Sequence, residues 1–256
     1  YSLIPTEEKP AMYWRMGQSL LRYVPAEQKE DQLFIIVNQL NAGAALARTP
    51  VERWQVAELN LLAGKKAKTA AAWKSAFDYL KMGIGLLEEN DWAERYPLVL
   101  ALYEETAEAA YLNKNFELME QLADSVSHHA QSVLDQVKVY EVRIQAAMAR
   151  NDPLEAIAIG LEILNFLDIR FPKKPNQWHA LLLFIRTRWA WAGKRTEDLL
   201  NLPDMVNPRS LAIIRILVRI GTARFAALPE LMAPIIIKAV QLTLTYGNAP
   251  HSAFRY

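Results

Sequence analysis

The chain has 256 residues, enough for one large domain or two small ones with a substantial core. Its 52% hydrophobic and 22% charged residues, with only 9 Gly and 13 Pro, exclude a disordered or fibrous chain, and the absence of Cys excludes disulfide frameworks, thiolate zinc sites and cysteine nucleophiles. The net charge of +1 conceals a division: residues 1–168 carry 16 Lys+Arg against 24 Asp+Glu, residues 169–256 carry 13 against 4. An asymmetry of this size marks a nucleic-acid or membrane surface, or one half docking on the other or on a neighbouring domain. The basic residues are scattered through apolar helices and form no tract, which favours docking.

In chain order, Tyr1 to Lys9 is polar and proline-punctuated with no apolar core, so no signal peptide is expected. A first helix ends before Pro25, and Thr49-Pro50 reads as an N-cap followed by Pro at the first helical position. Asn90-Asp91-Trp92 is another start. From Phe116 the apolar positions run Met119, Leu122, Ala123, Val126 and Ala130, one face of a 3.6-residue helix. From Val137 they run Tyr140, Ile144 and Met148, with Lys138, Glu141 and Gln145 predicted to turn outward. Asn151-Asp152-Pro153 starts a further helix through Ile157, Leu161, Leu164 and Leu167. Phe171 to Asn176 is the longest breaker and lies where the charge balance changes. Leu202-Pro203-Asp204 and Val206-Asn207-Pro208 bracket a short connection, and Gly247-Asn248-Ala249-Pro250 closes the last complete helix. The punctuation predicts about eleven helices. No stretch combines two-residue alternation with Asn-Gly or Asp-Gly turn chemistry, so strands are not expected.

The most apolar stretches, Ala180–Ile185, Leu211–Ile220 and Ile235–Leu244, are short or interrupted by Arg215, Arg219 or Lys238. None supplies the roughly 20 apolar residues of a bilayer span. They are expected to be buried helices of a cytoplasmic protein, and the chain, beginning at Tyr1 and ending at Tyr256, is expected to be a piece of a longer one.

Helices of this length joined by short turns should pair as antiparallel hairpins. A pattern of an aromatic residue or Pro, two residues, then Ala or Met opens the second helix of a pair three times: Trp73-x-x-Ala76, Phe116-x-x-Met119 and Pro153-x-x-Ala156. Tetratricopeptide repeats use a period of about 34 residues and a small residue at such a position because the facing helix comes close. The predicted architecture is therefore all-α: one tetratricopeptide-like superhelical stack of antiparallel helix pairs over residues 1–256, with irregular repeats centred on residues 50–168. Residues 1–168 form its acidic part and residues 169–256 its basic C-terminal helices.

Chemistry is sparse. Ala63-Gly64-Lys65-Lys66-Ala67-Lys68-Thr69 and Ala192-Gly193-Lys194-Arg195-Thr196 imitate part of a phosphate loop but lack the earlier glycine and the strand that would wrap a phosphate. His128 and His129 are adjacent, so on a helix they diverge by about 100° and cannot share a metal as an i, i+4 pair would. They read as surface histidines near a helix end. Glu104, Glu105 and Glu108 crowd one face, away from Val99, Tyr103 and Ala107, and read as a solvated acidic face able to meet the basic half. Trp178, Trp189 and Trp191 lie among Arg186, Arg188, Lys194 and Arg195; aromatic–cation mixtures can stack bases, but the intervening Leu181 to Ile185 favours tryptophans in a core with arginines at its rim. Arg215 and Arg219 are i, i+4 neighbours suited to a carboxylate. No catalytic, cofactor-binding or metal-ligating set is identified, and no enzymatic activity or cofactor is expected of this chain.

Several runs occur in a characteristic order: Ile36-Val37-Asn38-Gln39-Leu40-Asn41, then Glu58-Leu59-Asn60-Leu61 and Ala63 to Lys68, then Tyr79-Leu80, Trp92 with Tyr96, Ala107-Glu108-Ala109 with Tyr111-Leu112, and Gly247-Asn248. From about residue 13 onward the chain resembles the helical region of large bacterial signalling proteins that join a serine/threonine kinase, an AAA-type (STAND-like) ATPase, GAF or PAS sensors and often a histidine kinase. The resemblance implies a tetratricopeptide-like module after the ATPase, relaying signals through contacts, with the catalytic residues elsewhere in the longer protein.

The expected function is that of a non-catalytic protein-interaction or regulatory module of a multidomain signalling ATPase/kinase. Its partners are other domains of the same polypeptide or a separate protein, with Glu104, Glu105, Glu108, Arg186, Arg188, Arg215 and Arg219 as the candidate surface. The alternative is a sensor that binds a small ligand between helices, since 10 Tyr and 7 Trp can line a pocket. Nucleic-acid binding by the basic half ranks third, and no membrane partner is expected.

Overall fold

The computed structural model describes residues 5–171, 202–227 and 231–249. Among them the chain is all-α, with twelve α-helices, one 3-10 turn at Ala44–Leu46 and no strand. The sole isolated bridge there pairs Asp204 with Asn248. The helices are α1 (Lys9–Tyr23), α2 (Ala26–Lys29), α3 (Leu33–Ala42), α4 (Pro50–Thr69), α5 (Trp73–Ile84), α6 (Asp91–Glu94), α7 (Tyr96–Leu112), α8 (Phe116–His129), α9 (Val133–Ala149), α10 (Pro153–Phe166), α11 (Pro208–Ala227) and α12 (Met232–Tyr246). The chain divides into two compact units, Tyr1–His129 and Ala130–Tyr256. That division falls well before the charge change near residue 168.

Three hairpins share one turn design. Helices α4, α7 and α9 each end with a non-glycine residue in the left-handed region, Ala71 (φ 55), Lys114 (φ 61) and Asn151 (φ 61). In each, the next amide reaches back five residues: Ala72 to the Ala67 carbonyl (2.9 Å), Asn115 to Ala110 (2.8 Å) and Asp152 to Ala147 (3.0 Å). This is the Schellman arrangement, which satisfies carbonyls that the helix end would otherwise orphan. Two residues beyond each left-handed residue stands Trp73, Phe116 or Pro153, the first residue of α5, α8 or α10. The partner helices then start under side-chain caps in two of the three cases: Asn115 Oδ1 accepts from the Leu118 amide at 3.2 Å, and Asp152 Oδ1 from the Glu155 amide at 2.9 Å. Ala76, Met119 and Ala156, singled out by the sequence repeat, are fully buried. A fourth turn of the same kind closes α10 at Asp168 (φ 55), where the Ile169 amide reaches the Leu164 carbonyl at 2.8 Å.

Within the first unit, α1 packs on α3, α3 on α4, α4 on α5, α5 on α7 and α7 on α8. Its core is built from Ile36, Leu40, Val56, Leu80 and Leu102, with Trp14, Trp54 and Phe77 packed around it. Helix α4 starts where Thr49-Pro50 places it: Thr49 Oγ1 accepts from the Glu52 amide at 3.2 Å, and Glu52 Oε2 accepts from the Thr49 amide at 3.0 Å. The Thr49 amide, the Thr49 hydroxyl and the Arg48 amide, all donating to its Oε2, hold the exposed Glu52 carboxyl below its ordinary pKa. Gly64 permits the closest approach in this unit, since a Cβ there would stand 2.4 Å from Leu80 Cγ. Asn41 and Asn60 exchange amide hydrogen bonds of 2.8 Å in both directions, and buried Asn60 also donates to the Val56 carbonyl at 2.9 Å. An unpaired amide in that core would cost a few kcal/mol, so the pair specifies how α3 sits on α4.

Within the second unit, α10 packs on α9 and α11, and α11 also packs on α9 and α12. Val137, Tyr140 and Ile144 of α9 and Ile157 and Leu164 of α10 are buried, as are Ile213, Ile216, Leu217 and Ile220 of α11. Gly160 lets α11 approach, since a Cβ there would lie 2.1 Å from Ile220 Cγ2. Beyond α12, Gly247 (φ 97) admits Asn248 to a reciprocal pairing: its amide donates to the Pro203 carbonyl and its carbonyl accepts from the Met205 amide, both at 2.8 Å.

Candidate interaction surface

The acidic residues of α7 do not form the expected solvated face. Glu105 is buried, its side chain 9% exposed, and its Oε2 lies 2.5 Å from Lys68 Nζ near the end of α4. Glu108 Oε2 binds the same ammonium at 2.7 Å, and Lys65 stands 4.0 Å from Glu105. Glu104 is half-buried. The reason lies in the packing: α7 touches α4, α5 and α8, and of its residues only Pro97 is exposed. Burial by itself would lower the pKa of Lys68, but hydrogen bonds and charge from Glu105 and Glu108 outweigh it and hold that pKa above the ordinary 10.5. The phosphate-loop imitation at Ala63 to Thr69 is thereby explained. Gly64 packs on Leu80, Lys68 closes an ion bridge, and the whole run lies within α4.

Further contacts join α4 to the chain around α6 and α7. Trp54 Nε1 donates to Asp91 Oδ1 at 2.8 Å, and Arg95 meets Glu58 at 2.9 Å. The buried Asp91 also accepts from the Glu88 amide at 2.8 Å, so this predicted helix start is a single-turn element serving as a bracket.

Arg215 and Arg219 find their carboxylate inside the second unit. Glu141, predicted to point outward, is buried on α9; Arg215 Nε lies 2.9 Å from its Oε1, a charge contact whose angles fall short of a hydrogen bond, and Arg219 donates to its Oε2 at 3.5 Å. With its amide turned to satisfy both sides, Gln145 also accepts from Arg219 at 3.1 Å. Met148, assigned to the apolar stripe, is exposed. The apolar period of α9 identified its contact with α10, but α11 covers the next stripe round, 74 and 78 residues further along the chain. Both arginine side chains remain more than a third exposed.

His129 is not a simple surface histidine. Its ring stacks on Trp92 at 4.5 Å and 2°, with Nδ1 donating to the Ser125 carbonyl at 2.9 Å and Nε2 3.0 Å from Glu89. Tyr103 meets the same tryptophan at 4.9 Å. Burial raises the Tyr103 pKa, a hydrogen bond with Ser125 opposes this, and the Glu89 charge adds to it. Nothing in the sequence pattern signalled this aromatic group beyond the pairing of Trp92 with Tyr96. Among the described residues there is no cluster of three His, Asp or Glu able to hold a metal, and no helix is long and apolar enough to cross a membrane. Arg186 and Arg188, with Trp178, Trp189, Trp191 and the second Gly-Lys run, lie outside the described residues.

No family model matches the chain. No solved structure matches it either. A stretch of 152 residues, 54% of the chain, is 26% identical to hybrid signal transduction histidine kinase G of Dictyostelium discoideum. That stretch spans 4% of the length of this relative, so the likeness is distant and confined to a small part of a very large signalling protein.

Proposed function

We propose that the chain is a tetratricopeptide-like stack of helix hairpins acting as a non-catalytic interaction and regulatory region of a cytoplasmic, multidomain signalling protein. The observation that carries the reading is the repeated hairpin: α4–α5, α7–α8 and α9–α10 share one turn geometry and one buried small or Met position. Stacked hairpins of this kind present extended surfaces rather than a single reacting centre. The buried ionisable groups Glu105, Asp91 and Glu141 are all engaged in helix-to-helix contacts, which suits a relay. The likeness to part of a signalling histidine kinase supports the context. The half-exposed Arg215 and Arg219, and Glu104 and Glu108, remain the proposed contributors to docking, together with Arg186 and Arg188.

The test is association of this chain in trans with the domains that flank it in the longer protein, measured by sedimentation velocity. Saturable binding to one of them, with altered kinase or ATPase output when Arg215 and Arg219 are both changed to Glu, is expected. No association with any flanking domain, together with unchanged output on deleting the region, overturns the reading.

A further inference from the structure

A cavity of about 620 Å³ lies in the second unit where three helices converge: the residues closing α10, the first turn of α11 and the end of α12. That size is ordinary for a small-molecule pocket. Its floor is apolar, with Leu167, Ile213 and Leu242 all buried. The first turn of α11 is what points to a ligand. Ser210 lines the cavity three residues before Ile213, on the same face of the helix, and is 4% exposed. Its amide donates to Asn207 Oδ1 at 2.9 Å, yet its hydroxyl makes no hydrogen bond among the described residues. Polar groups buried to that extent are rarely left unpaired, and an acceptor in the cavity would satisfy this one. Pro208 has no amide hydrogen, and the Arg209 amide likewise makes no hydrogen bond among the described residues. Beside the Ser210 hydroxyl, the turn thus offers an unpaired amide to an anion.

Charge narrows the occupant. Arg209 donates from Nη2 to Asp168, and its other guanidinium nitrogens make no hydrogen bond among the described residues. With Lys238 it sets two positive charges against the one carboxylate that lines the cavity, and a helix N-terminus adds about half a positive charge. A net charge of about +1.5 suits a phosphomonoester, which carries about −1.5 to −2 at pH 7, better than a singly charged carboxylate. The other side of the cavity accepts. Thr245 Oγ1 already donates its proton to the Gln241 carbonyl at 2.8 Å, so that oxygen and the Asp168 carboxylate present lone pairs. Hydroxyl groups on a ligand supply the matching donors without adding positive charge.

We propose that this cavity binds a small hydroxylated phosphomonoester, its phosphoryl group over the first turn of α11 against Arg209, Lys238 and the Ser210 hydroxyl, and its hydroxyls donating to Asp168 and Thr245. This goes beyond the interaction reading and does not rest on it, since binding is measured on the chain alone. Calorimetric titration of the whole chain with glucose 6-phosphate should give one saturable site. Its affinity should exceed that of glucose, glucuronate or inorganic phosphate by about tenfold, the worth of one charge-assisted hydrogen bond. Arg209→Gln should weaken glucose 6-phosphate by about the same factor while keeping the wild-type helical circular dichroism. Ser210→Ala should also weaken it, without lowering the melting temperature of the unliganded chain, because the lost hydroxyl has no partner in the fold. Absence of saturable glucose 6-phosphate binding by the folded chain overturns the proposal. So does glucuronate or inorganic phosphate binding as tightly, or an affinity indifferent to Ser210→Ala. A Ser210→Ala chain that melts lower does so too, since the hydroxyl would then serve the fold rather than a ligand.

Discussion

In the first unit a single lysine of α4 is shared by two carboxylates of α7, whereas in the second a single carboxylate of α9 is shared by two arginines of α11. Both bridges join the opening helix of one hairpin to a helix packed against it, but their polarity is reversed and so is their exposure. Lys68 and Glu105 are both largely buried, while Arg215 and Arg219 keep much of their surface in water around a buried Glu141. The charge asymmetry between the early and late chain is thus in part internal architecture. Some of the acidic excess answers Lys68 and some of the basic excess answers Glu141, so neither is simply a surface awaiting a partner.

The largest effect that separates the two bridges is expected from Lys68→Met. It leaves Glu105 buried beside Glu108 with their shared cation gone, and stripping one member from a buried pair costs about 3 kcal/mol. Urea denaturation would measure it, and a loss below 1 kcal/mol would mean that water reaches Glu105 freely. Gly160→Val comes next, at about 2 kcal/mol, because the added methyl groups must displace Ile220 from a close approach. A smaller cost, about 1 kcal/mol, is expected for Glu141→Leu, since the two arginines it abandons can turn to solvent. If that variant loses as much as Lys68→Met, the exposure argument fails.

The smallest effect is the most selective. The folded pKa of Lys68 is raised, so the stability its bridge adds is fully present below the ordinary lysine value of 10.5. It is lost as pH climbs through the raised folded value. Arginine stays protonated across that range, so the α9–α11 bridge has no such loss. Thermal melts at pH 9 and pH 11 should therefore show an alkaline decline that Lys68→Arg reduces. An identical decline in both proteins would remove Lys68 from the account.

Much of the local structure was legible beforehand. Thr49-Pro50 and Asp152-Pro153 mark helix starts because capping and a fixed proline φ act within a few residues. Gly247 follows the last residue of α12 for the same kind of reason. The repeat at Trp73, Phe116 and Pro153 was visible as spacing. Its turn was not, because Ala71 and Lys114 are ordinary residues in a conformation that usually selects glycine or asparagine. Glu105 and Glu141 are buried where the apolar period of their helices points to solvent. A period shows one buried stripe per helix, whereas a helix held between two neighbours buries two.

The amino-acid order alone determined that this chain is helical, where most of its helices begin and end, and which residues open the paired helices. All of these depend on forces between residues at most a turn or two apart. Which charges are spent inside is set by how the helices pack. The ammonium of Lys68 meets α7 and the carboxylate of Glu141 meets α11 across 37 to 78 residues of chain, and burial set by a distant helix leaves no mark on local spacing.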